Sequence, residues 1–183
     1  MKQIYLGDSY DIVKRFWADS LQPVAPLYAH ARFVPRPLWQ EYSAMTTIPI
    51  LDPERGKPDF PHGILLDPHT GIPLPSESGS NQPTAAHAPL DFLIQVAAEY
   101  TPHYLICFDQ SHQRVKNYSR GLQRKTKMDY LRERGLFAFY YVSHAPFLFA
   151  SQNPSYISAI LSRLSLDGLP PCRFELSNLQ STS

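Results

Sequence analysis

Apolar residues along the chain follow two rhythms, one near 3.6 residues and one near 2, and the two alternate. Ile12, Val13, Phe16 and Trp17 share a helical stripe after the turn signal Gly7-Asp8-Ser9. Pro23 and Pro26 stop that helix. Leu90, Leu93, Ile94, Ala97 and Ala98 mark a second helix, and Met128 and Leu131, joined by Leu122 and Tyr130, the inner side of a third. Asn153 as cap and Pro154 at the first position open a further helix that buries Ile157, Ile160, Leu161 and Leu164. Between these stretches lie strand-like runs at 2–6, 27–34, 104–108, 136–142 and 173–176, rich in β-branched and aromatic residues. A short helix is also expected from Pro37.

Helices alternating with apolar strands predict a single α/β domain over 1–183. The expected architecture is three-layer and Rossmann-like, a mostly parallel sheet with helices on both faces. Residues 51–89 interrupt the pattern, holding eight of the 18 prolines. They read as a Pro-rich irregular insertion, with one short strand or hairpin at "GILLDPHTGI". Residues 177–183 read as a frayed tail.

Composition changes the picture little: 43% hydrophobic and a net charge of +1 are ordinary for a globular chain and exclude a wholly basic nucleic-acid binder. Only two cysteines occur, Cys107 and Cys172, at no metal-knuckle spacing, and free thiols are expected. "MKQIYLGDSYD" lacks the features of a signal peptide, and no apolar run is long enough to span a membrane. The expectation is a soluble, cytoplasmic protein with no membrane partner.

Charge is uneven, however. Eight of the 17 Lys and Arg residues fall within 113–134, against Asp129 and Glu133 alone. They directly follow "YLICFDQSHQR", an apolar run ending on Asp109. Sites in open α/β sheets form beyond the carboxyl ends of the strands. That places Gly7-Asp8-Ser9 with Asp11, then Asp109-Gln110-Ser111-His112, then Ser143-His144, at candidate positions. If the 2–6 and 104–108 strands are neighbours, Asp8 and Asp109 face one crevice. Two carboxylates there would share Mg²⁺ or Mn²⁺, with Asp11 or Asp67 completing the shell. Asp8, Asp109, Ser143 and His144 are then the catalytic candidates. Ser111, His112, Arg114, Lys116, Arg120 and Arg124 are the substrate-binding candidates, and 113–134 a surface for nucleic acid. Each aspartate also reads as a cap or turn former, His144 as a structural histidine and the basic run as a solvated helix face.

"YLGDSYDIVKRF" and "CFDQSHQR" resemble the PIN/NYN superfamily of metal-dependent nucleases, which carry acids after the first and later strands. The basic helix followed by "RGLFAFYYV" is similar to the stretch before the last acids of that group, where this chain has Ser143 and His144. The resemblance implies metal-dependent phosphodiester cleavage. "IYLGDSYD" also resembles the first block of SGNH hydrolases, which implies Ser9 as nucleophile. Neither GxGxxG nor GxxxxGK[ST] occurs, so nucleotide-loop chemistry has no motif to stand on. The alternative from another class is a non-catalytic α/β binding or assembly module that docks a protein or nucleic acid.

Overall fold

The computed structural model describes residues 7–75, 82–112 and 118–176. Among these, in chain order, lie α1 (Ser9–Leu21), β1 (Leu27–His30), α2 (Trp39–Thr46), β2 (Ile50–Leu51) and β3 (Gly63–Leu66). There follow α3 (Leu90–Tyr100), β4 (Tyr104–Phe108), α4 (Arg120–Arg132), β5 (Phe137–Tyr141), β6 (Phe147–Ser151), α5 (Pro154–Leu166) and β7 (Phe174–Leu176). The strands form one sheet in the order β2-β1-β3-β4-β6-β5-β7.

The sheet is mixed rather than mostly parallel. β2, β1, β3 and β4 pair in parallel, whereas β4–β6, β5–β6 and β5–β7 pair antiparallel. The reason is a hairpin. "PFLFAS" after Ser143-His144 is a second apolar run, and it turns straight back as β6, so no helix separates it from β5. The 2–6 strand lies outside the described residues, as does the 177–183 tail. The 27–34 run is strand only to His30, after which Ala31–Phe33 forms a 3₁₀ turn. Within 51–89, β3 falls in the stretch "GILLDPHTGI" where a short strand is expected, lies between β1 and β4 and is buried along its whole length.

Alternation along the strands divides the core. Ile64, Leu66, Leu105, Cys107, Ala138 and Tyr140 meet α3 and α4 on one face. Leu65, Tyr104, Ile106, Phe108, Phe139 and Phe149 meet α1, α2 and α5 on the other. Trp17 anchors this second face, packing edge-on against Tyr141, Phe147 and Phe149. The α1 stripe is rotated from the expected one. Trp17, Leu21 and Lys14 are buried, whereas Ile12 is 69% exposed. In α4, Met128 and Leu131 are buried as expected, together with Gln123 and Lys127, whereas Leu122 is exposed.

Two glycines are required by close approach. A Cβ on Gly63 would run into the Tyr104 ring on the neighbouring strand, whose hydroxyl donates to the Ala25 carbonyl at 2.7 Å. Gly71 has φ +125° and lies against Asp109, leaving no space for a side chain. The loop after β3 is thereby laid across the carboxyl end of β4, where the Gln110 amide donates to the Thr70 carbonyl at 2.9 Å.

Candidate polar clefts at the strand ends

The carboxyl ends of β3, β4 and β5 share one edge of the sheet, together with the turn between β5 and β6. Strand alternation decides where each terminal acid points. Asp67 continues the Leu65 side, toward α1. Asp109 continues the Leu105–Cys107 side, toward α4.

Asp109 is the centre of a buried network. Its Oδ1 accepts the Ile72 amide at 2.9 Å and the Ser111 amide at 3.0 Å. Its Oδ2 accepts Lys127 Nζ and the Tyr140 hydroxyl, each at 2.7 Å. Both side chains of the Lys127–Asp109 pair are 1% exposed. Lys127 also donates to the Ser111 carbonyl at 3.0 Å. Burial, and then the Asp109 charge, push the Tyr140 phenol well above its ordinary range, so it stays a donor. Burial pushes the Cys107 thiol up as well, with Asp109 adding to it.

A second network sits across the sheet. Lys14 Nζ donates to Asp11 Oδ1 at 2.8 Å and to Asp67 Oδ2 at 2.7 Å. Asp11 Oδ2 accepts the Gly7 amide at 2.7 Å. Burial opposes the charge on Lys14, but the Asp67 and Asp11 carboxylates outweigh it and hold the ammonium's pKa above its usual value. The Tyr42 ring lies 5.6 Å from this ammonium. Burial, followed by the Asp67 and Asp11 charges, raises the Tyr42 phenol strongly. Asp8 caps α1: its Oδ1 accepts the Tyr10 amide at 2.8 Å and the Asp11 amide at 3.3 Å.

These partners place the four aspartates named as metal candidates in different surroundings. Asp8 and Asp109 do not meet, since they line different clefts. Both Asp109 oxygens carry two partners each, Asp11 is held by Lys14 and Gly7, and Asp67 is held by Lys14. Among the described residues no group of three or more His, Cys, Asp or Glu is placed to hold a metal ion.

Three of the catalytic candidates and four of the substrate-binding candidates come together. Asp109, Ser111, His112, Arg120, Arg124, Ser143 and His144 all line one polar cleft of about 470 Å³. The first turn of α4, capped by Ser119, faces it with Arg120, Gln123 and Arg124. Arg124 is held as a fork on Glu175, with contacts of 2.7 and 2.6 Å, and this bond first of all raises its pKa further. Arg120 is exposed and has no acidic partner among the described residues. His112 Nδ1 donates to the Gln110 carbonyl at 3.0 Å, which makes Nε2 the acceptor nitrogen of the neutral ring. The Ser143 hydroxyl donates to the Ala145 carbonyl at 2.9 Å and accepts the Ala145 amide at 3.1 Å, so it shapes the β5–β6 turn. Arg114 and Lys116 lie outside the described residues. Ser9 is the exposed first residue of α1.

A second cleft, of about 240 Å³, opens beside the start of α1 and is lined by Asp8, Tyr10, Lys14, Asp67, Pro68, His69, Phe108 and Gln110. Gln110 is the shared wall. Its Nε2 donates to the Tyr10 hydroxyl at 2.7 Å and to the His144 carbonyl at 2.9 Å.

Lys14 is a residue that pattern reading passed over, and the buried partnership of Lys127 and Tyr140 with Asp109 was not anticipated. Both lysines were legible by period. Lys127 falls between Gln123 and Leu131 at steps of four, and Lys14 precedes Trp17 and Leu21 by three and seven. Compared with known proteins, the chain matches no family model, no curated protein and no solved structure.

Proposed function

We propose that the chain is a non-catalytic α/β binding module whose polar cleft beyond β4 and β5 takes a phosphate-bearing ligand. One observation carries the reading. The cleft gathers Arg120, Arg124 and the first turn of a 13-residue helix, while its one carboxylate is neutralised inside the fold by Lys127. Donors converge there, and no unpaired acid opposes an anion. The parallel half of the sheet, β2-β1-β3-β4, supports a Rossmann-like reading, in which ligands sit beyond strand ends.

The rest of α4 narrows the ligand. Lys125 and Arg132 pair with Asp129, and Arg134 with Glu133. At the cleft Arg124 is paired with Glu175, and Arg120 is the cation with no acidic partner among the described residues, which suits a phosphate monoester or a chain terminus better than a long duplex. Metal-dependent cleavage has no support in the saturated Asp109.

Calorimetric titration with inorganic pyrophosphate tests this. Saturable binding in EDTA, weakened at least ten-fold by Arg120→Gln and by raising salt, is expected. No binding in wild type would end the proposal. Binding only with Mn²⁺, together with turnover of bis(p-nitrophenyl) phosphate, would restore the nuclease reading.

A further inference from the structure

We infer that the cleft beside the start of α1 is a subsite for a small organic ammonium ion. The inference goes beyond the phosphate reading and does not depend on it. The cleft's walls carry charge of the opposite sign to the polar cleft. Asp8 and Asp67 line this cleft together with the ammonium of Lys14, and Asp11, buried behind that wall, is a third carboxylate held on the same ammonium. Two formal negative charges are left, and the α1 macrodipole offsets only roughly +0.5 of them. Asp8 uses Oδ1 for both capping amides, so Oδ2 stays available on the cleft wall.

The remaining wall is hydrocarbon and aromatic. The Tyr10 and Phe108 rings meet edge to face, with centroids 5.3 Å apart and planes at 67°. Gln110, bonded to the Tyr10 hydroxyl, holds that ring in place. Pro68 adds a further apolar wall. Acid and aromatic faces together attract a cation that carries its own apolar surface. A bare divalent ion is a poor fit, because no group of three or more His, Cys, Asp or Glu is placed to hold one among the described residues. At about 240 Å³ the cleft is below the roughly 300–1,000 Å³ of pockets for drug-sized ligands. It therefore suits a head group such as trimethylammonium.

Choline is the probe, with uncharged 3,3-dimethyl-1-butanol as its isostere, each titrated without phosphate into the full chain and followed by amide chemical shifts. Choline is expected to saturate shifts at Tyr10, His69 and Gln110, at least ten-fold more tightly than the isostere. Asp8→Asn keeps a good helix cap and removes one charge, so it is expected to weaken choline at least five-fold with no change in melting temperature. A salt titration of the wild type gives an independent reading, since choline affinity is expected to fall as ionic strength rises. The inference is overturned if choline and the isostere bind alike, if Asp8→Asn binds choline as the wild type does, or if wild type binds neither. Because phosphate is absent throughout, none of these outcomes bears on the polar cleft.

Discussion

Two buried lysines lock the strand ends, and the contrast between them organises the molecule. Lys127 meets one carboxylate, Asp109, which also holds Tyr140 and two amides, so the cluster is neutral and saturated. Lys14 meets two carboxylates, Asp11 and Asp67, so its cluster keeps a negative excess. The difference follows from strand parity. Asp67 and Asp109 end neighbouring strands one residue out of phase, and each is sent to the opposite face of the sheet. One device fastens two helices to the sheet and leaves adjoining clefts of opposite sign.

The largest expected effect breaks the neutral lock. Asp109→Asn leaves Lys127 charged, buried and without its acid, and is expected to cost about 3–5 kcal/mol in urea unfolding. An effect below about 1 kcal/mol would mean that the pair is not buried in solution.

His30 ends β1 with no charge to lock it, and supplies a pH probe away from both clusters. Burial first, and then Arg32, lower its pKa from 6.5 to about 4. Between pH 6.5 and about 4 the unfolded chain therefore binds more protons than the fold. The contribution is present above pH 6.5 and is lost as pH falls toward 4. It amounts to at most about 3 kcal/mol. His30→Asn retains an acceptor for the Arg32 amide and is expected to flatten the acid slope of the melting temperature over that window. An unchanged slope would assign it to other groups.

Asp67→Asn sharpens the comparison between the lysines. Lys14 keeps Asp11, so the expected cost is about 1–2 kcal/mol, less than for Asp109→Asn. Equal costs would remove the distinction between saturated and excess clusters. The smallest effect is at the rim. Glu175→Gln loosens a half-exposed fork on Arg124, and is expected to change stability by less than about 1 kcal/mol, read by thermal unfolding.

Much of the fold was legible because local signals agree with it. Asn153-Pro154 opens α5, the Tyr104–Phe108 run is β4, and Asp8 caps α1. The central place of β3 was hidden by the prolines around it, since a four-residue strand among turns carries little periodic signal. The mixed sheet was missed at Phe147–Ser151, an apolar run too close to β5 for a crossover. At the site, proximity was legible and role was not. Residues at one strand edge could be grouped by topology, and Ser111, His112, Arg120, Arg124, Ser143 and His144 do share a cleft with Asp109. That Asp109 serves the fold depends on Lys127, 18 residues away, and Tyr140, 31 away, which strand-end reasoning does not reach. Counting strand parity from Leu65 and from Cys107 would have separated Asp67 from Asp109 in advance.

Manganese line broadening tests the central claim, that Asp109 is consumed within the fold and its cleft receives anions. Mn²⁺ is added to the full chain at low stoichiometry while the amide signals of Ile72, Ser111 and Gln110 are followed. The account predicts that these signals broaden no more than those of exposed surface amides. Selective loss of the Ile72 and Ser111 signals, reversed by EDTA and absent in Asp8→Asn, would contradict it.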